Sequence, residues 1–131
     1  MPMVASTMMQ VPLHLGTLLD RGHRLQPDNE IITRVSGGYH RITYRVHWRR
    51  CCQLRSALER WGLESGDCLA SFMWNNSRHF LLYHTVPCMG GILHTMNIRL
   101  SSEENGYILR HGGARVIVVD EDLLENGYIL R

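Results

Sequence analysis

From Thr43 onward the sequence switches repeatedly between a helical and an extended hydrophobic pattern, and this limits the chain to few architectures. "TYRVHWRRCCQLRSALERWG" places Cys51, Leu54, Leu58 and Trp61 on one side of a helix and Arg45, Arg49, Gln53, Ser56 and Arg60 on the other. Thr43 stands where an N-cap belongs, and Gly62 stands where the helix has to stop. "CLASFMW" is a short unbroken apolar run between turn signals, the pattern of a strand covered on both faces. "NNS" can cap a following helix from Ser77 to Met89, and "GILHTMN" then reads as a second buried strand or extended segment. "LSSEENGYILRHGG" predicts a helix with a capping box between Ser101 and Glu104 and a stop at Gly112 and Gly113. "ARVIVVD" is a β-branched strand leading into an acidic turn, "DED". Helices and strands in strict alternation predict an α/β fold with a largely parallel sheet, because parallel neighbours need a crossover and a helix supplies it.

Ahead of this region the pattern is simpler. "LGTLLDRGHRL" spaces Leu15, Leu18, Leu19 and Leu25 at helical period, and "QPDN" ends that helix. "EIITRV", "SGG" and "YHRITY" read as strand, turn and strand, a β-hairpin.

Composition fits a globular chain: 131 residues, 44% hydrophobic and 20% charged. A formal net charge of +2 is too small to indicate a nucleic-acid or anionic-membrane partner. All basic residues other than histidine are arginine, so any chemistry that needs lysine finds none here. Cys51, Cys52, Cys68 and Cys88 form no C-x-x-C pair and sit in apolar stretches, which predicts reduced cysteines in a cytoplasmic protein. The N-terminal stretch has no basic start, so no signal peptide is expected. "FLLYHTVPCMGGIL" is shorter than the roughly 18 apolar residues a membrane span needs.

Several residue groups invite a functional reading. His84 and Cys88 are spaced to share a metal on one helix, but zinc wants about three or four ligands and no further pair has suitable spacing. The expected role for both is packing, and no metal site is expected. The arginines on the helix after Thr43 lie opposite an apolar stripe, as a solvated face does, so no nucleic-acid binding is expected. Asp120, Glu121 and Asp122 cluster at a strand end, where such a run commonly serves as a turn or cap. "SGG" and "MGG" are too short to cradle phosphate, and Gly90 and Gly91 are expected to allow close helix–strand packing. No nucleophile elbow or phosphate-binding P-loop is present.

The stretch "FMWNNSRHFLLYHTVPCMGGILHTMNIRLSSEENGYILRHGGARVIVVDEDLL" resembles the early part of the medium- and long-chain fatty-acyl-CoA synthetases, members of the AMP-binding, adenylate-forming ligase superfamily. The resemblance is carried by Asn75, Arg78 and His79; by Val86, Pro87, Met89 and Gly90; by Leu93, His94, Thr95, Asn97, Arg99, Leu100 and Ser101; and by Tyr107, Ile108, Leu109 and His111. With the upstream hairpin it covers roughly residues 6 to 124. It implies an incomplete N-terminal portion of the ligase large domain. It also implies a whole-protein reaction of fatty acid, ATP and CoA to acyl-CoA, AMP and pyrophosphate, with magnesium. The family's Ser/Thr/Gly-rich phosphate loop, ribose-binding aspartate, hinge and catalytic lysine have no counterpart here. No catalytic, cofactor-binding or metal residue is therefore carried over, and the chain alone is expected to be inactive and to bind none of these cofactors. His94, Asn97 and Arg99 could line a binding surface or fix a turn and a helix cap, and the structural role is the expected one.

The heptapeptide "ENGYILR" occurs twice, at Glu104–Arg110 and Glu125–Arg131. The first copy fits the family pattern and the second does not. The expected organisation is a partial AMP-binding-type domain over residues 1 to 124 and a duplicated tail over 125 to 131 outside the fold. The rival expectation is a stand-alone interaction or acyl-binding module on the same scaffold. A partial domain is further expected to self-associate through an exposed sheet edge.

Overall fold

Among the described residues five helices and five strands form, and all but the last helix follow the order the hydrophobic pattern predicts. A computed structural model describes Met8, Pro12 and residues 14–125. The elements are α1 (Leu15–Leu25), β1 (Glu30–Val35), β2 (Gly38–Thr43), α2 (Tyr44–Arg60), β3 (Cys68–Phe72), α3 (Ser77–Cys88), β4 (Ile92–Thr95), α4 (Ser102–His111), β5 (Val116–Val119) and α5 (Glu121–Glu125). The helix starts use local chemistry. The Thr43 hydroxyl accepts from the Val46 amide, the Asn76 side chain accepts from Arg78 and His79, and Ser101 and Glu104 close a reciprocal capping box.

β1 and β2 form an antiparallel hairpin in register Glu30↔Thr43. The other three strands form a parallel sheet in the order β4-β3-β5, with Leu69 beside both Leu93 and Val116. The connection through α3 moves one way from β3, and the connection through α4 crosses back to its other side. Crossovers of one hand in opposite directions put their helices on opposite faces. The core follows this. Leu69 and Met73 pack with Leu58, Leu63, Leu82 and Val86 on the α2/α3 face, while Ala70 and Phe72 pack with Met96, Leu109 and Leu123 on the α4/α5 face. Full burial of one such leucine or phenylalanine stabilises by about 2 kcal/mol. Gly90 and Gly91 make the tight turn between α3 and β4: a Cβ at Gly91 would meet Val86 Cγ1 at 3.0 Å, and one at Gly90, where φ is +83°, would collide with Ser65.

Four expectations need correction. Trp61 closes the helical stripe in sequence, yet it is 74% exposed because it lies past the last turn of α2, beyond the reach of the sheet. "GILHTMN" is not a buried strand: β4 is at one end of the described sheet, and Ile92 is 56% exposed. The run "DED" is no simple turn either, since Glu121 and Asp122 begin α5 and only Asp120 precedes it. Tyr44, expected to end the hairpin, opens α2 instead.

A pair of imidazoles sits in the seam between α2 and α3. Buried His47 places Nε2 3.0 Å from His84 Nδ1 and 3.6 Å from Cys51 Sγ. Phe80 stacks on His47 and meets His84 edge-on, with centroid distances of 4.9 and 4.5 Å. Burial, helped by repulsion from His84 and Arg50, pulls His47 down from 6.5 to about 4. Between these values the unfolded chain holds a proton that the folded chain refuses. The stabilisation is therefore complete above about pH 6.5 and is lost as pH falls toward 4, by about 3 kcal/mol at most. His47→Phe should flatten this acid slope in denaturant unfolding followed at several pH values. An unchanged slope would mean that other groups set it.

Candidate functional site

In an open parallel sheet, ligands bind outside the carboxyl ends of the strands where neighbouring connections diverge. Here that point lies between β3 and β5, because the chain leaves β3 toward β4 and returns to β5 on the far side. An open groove of about 880 Å3 occupies this position. Its floor is the β3–α3 turn, Trp74 to Arg78, and the β5–α5 junction, Asp120 to Asp122; the hairpin and Arg50 supply the rim.

Asp120 ties the floor together. Its amide donates to the Phe72 carbonyl, and its own carbonyl accepts from Leu123 in α5. Its buried carboxylate accepts from the Trp74 amide at 3.0 Å and from Asn76 Nδ2 at 2.8 Å, both on Oδ2, while Arg78 approaches Oδ1 at 3.6 Å. Asn76 thus donates to Asp120 through its amide nitrogen and caps α3 through its amide oxygen. Trp74 Nε1 donates to Asp122 at 2.7 Å. One turn into α3, His79 Nε2 lies 2.9 Å from Ser71 Oγ in the middle of β3. Burial lowers the His79 pKa, and the Trp74 carbonyl and the charge of Asp120 oppose that shift. Ser71 is fully buried, so this pair braces the helix against the strand and offers no accessible nucleophile.

The other residues singled out in sequence are scattered. His84 belongs to the imidazole pair in the α2/α3 seam, and burial raises the Cys88 thiol. Among the described residues no group of three or more His, Cys, Asp or Glu side chains is arranged to hold a metal ion. Both Asp120 oxygens already face protein donors, so this carboxylate does not fit magnesium. Asn97 accepts from the Arg99 amide at 2.9 Å, as a turn-fixing residue does. His94 packs against Gly112, where a Cβ would come within 2.6 Å of its Nδ1. Arg99 is exposed. The four cysteines are free thiols, and no helix among the described residues is long and apolar enough to cross a membrane. The sequence reading missed the buried latch at Asp120 and the His47–His84 pair. His47 could have been found, since it continues the apolar stripe of Cys51, Leu54 and Leu58 one turn earlier.

Asp120→Ala would leave the Trp74 amide and the Asn76 side chain without their acceptor. A loss of about 2–4 kcal/mol is expected. Asp122→Ala removes the exposed contact to Trp74 Nε1 and should cost less than Asp120→Ala. Urea unfolding of both variants measures the difference, and equal losses would contradict the latch.

Comparison with known proteins agrees with the geometry. The family model for AMP-binding enzyme matches residues 19–128. The chain is 39% identical over 120 residues to a long-chain-fatty-acid–CoA ligase of Thermus thermophilus, covering 91% of this chain and 22% of that protein. It is 32% identical over 118 residues to a medium-chain-fatty-acid–CoA ligase of Ectopseudomonas oleovorans, again covering 22% of the relative. A fatty acyl CoA synthetase of Mycobacterium tuberculosis superposes with a TM-score of 0.75 at 21% identity, over 86% of this chain and 23% of that one, a likeness of fold. The chain therefore spans about a fifth of the length of these relatives. With the β4-β3-β5 sheet, its opposed helices and the matched span in agreement, the chain belongs to the AMP-binding enzyme family, among the relatives of the fatty-acid–CoA ligases.

Proposed function

We propose that this chain is the opening part of the large domain of a fatty-acid–CoA ligase and supplies scaffold rather than catalytic groups. The observation that carries the reading is the likeness to medium- and long-chain ligases along nearly the whole chain. In the reaction of the whole protein, a fatty carboxylate oxygen attacks the α-phosphorus of ATP and pyrophosphate leaves. The CoA thiol then attacks the acyl carbon and AMP leaves. Adenylation is needed because a carboxylate is a poor electrophile, and the charge on the transferring phosphoryl oxygens calls for cationic donors. No residue here is assigned to ATP, magnesium or CoA. The lysine-free sequence, with no phosphate loop, supports inactivity of the chain by itself. A cytoplasmic setting follows from the same reading and suits four free thiols.

ATP–pyrophosphate exchange with a fatty acid and magnesium is the direct test. The purified chain should give no exchange above background, and measurable exchange would overturn the proposed inactivity. The exposed β4 edge also favours self-association of the isolated chain. Light scattering during gel filtration should find dimers or larger species. A monodisperse, cooperatively unfolding monomer would favour the stand-alone module.

The duplicated tail lies outside the described residues apart from Glu125, the last residue of α5. We propose that residues 125–131 add nothing to the fold, and deleting them should leave the unfolding midpoint unchanged. A clear drop in the midpoint would show that they pack.

A further inference from the structure

A second cavity, of about 410 Å3, opens among α1, α2 and α3 and shares no lining residue with the β3/β5 crevice. Its volume falls within the roughly 300–1,000 Å3 typical of small-molecule sites. Leu18, Leu25 and Phe80 give it hydrocarbon walls. α1 fully buries none of its own residues, and Leu18 and Leu25 remain 60% and 63% exposed, so part of its apolar side is left uncovered by the described residues.

The polar part of the lining has one sign. Arg21, Gln26, Tyr44 and His84 reach the cavity, and among the described residues no carboxylate does. The only acid on α1, Asp20, is held by Arg24 at 3.2 Å, whereas Arg21 has no ion-pair partner among the described residues. His84 is engaged through Nδ1 with His47, and burial favours its neutral form, so it adds hydrogen bonding rather than charge. Apolar side chains beside a guanidinium with no ion-pair partner and no acid among the described lining residues complement a molecule with an aliphatic tail and a single anionic head.

We propose that this cavity binds a free alkyl carboxylate, its tail between Leu18, Leu25 and Phe80 and its head on Arg21. The site needs no ATP and is separate from the crevice, so its success or failure leaves the ligase reading untouched. The test is titration calorimetry of the full 131-residue chain with decanoate below its micelle concentration, with decanol, and with vesicles of anionic phospholipid. Decanoate should bind saturably. Arg21→Leu should weaken decanoate about tenfold, as loss of one charge-assisted contact does, and leave decanol unchanged. Leu18→Asp should weaken both. Both residues are exposed, so the variants should fold, and their circular dichroism checks this. Absence of saturable decanoate binding, decanoate affinity unaffected by Arg21→Leu, or binding to vesicles alone would each overturn the proposal.

Discussion

The buried carboxylate of Asp120 is the interaction on which the functional end of the molecule depends. A parallel sheet ends in strands whose last amides and carbonyls point past their neighbours, and the turns that follow have to satisfy those groups locally. Here one residue does so for two strands and two helices. Asp120 completes the β3–β5 ladder through its amide, starts α5 through its carbonyl, and holds Trp74 and Asn76 through its side chain. Asn76 passes the constraint to α3 by capping it, and His79 fixes the first turn of α3 to Ser71. The shape of the crevice at the diverging strands follows from this chain of contacts.

What the sequence revealed was mostly what is local. Thr43, Asn76 and Ser101 were recognisable as caps because a cap bonds residues two or three positions away. The strand "CLASF" was legible because burial on both faces leaves an unbroken apolar run. The misreadings depended on distant partners. "GILHT" is as apolar as an inner strand but ends the described sheet, and Trp61 continues a stripe past the point where the sheet can cover it. Asp120 looked like one of three equivalent acids. Its burial depends on Trp74 and Asn76, more than forty positions away, and no local pattern encodes that pairing.

The repeated heptapeptide illustrates the same division. In the first copy Glu104 completes a capping box with Ser101, Asn105 is buried and bonds the Leu100 carbonyl, and Leu109 packs beneath the sheet. Ser101 and Leu100 lie outside the seven letters, so the contacts of the first copy depend on residues beyond the repeat. The family likeness, in turn, accounts for the fold along nearly the whole chain.

The central claim is that Asp120 locks the β3–α3 turn into the cooperative core. Amide hydrogen exchange at Trp74 tests it most directly, because Trp74 is half exposed and its amide is protected through the Asp120 carboxylate. The account predicts that this amide exchanges as slowly as the amides of β3, with an opening free energy near that of global unfolding. Exchange at the rate of an open loop, with β3 still protected, would contradict it.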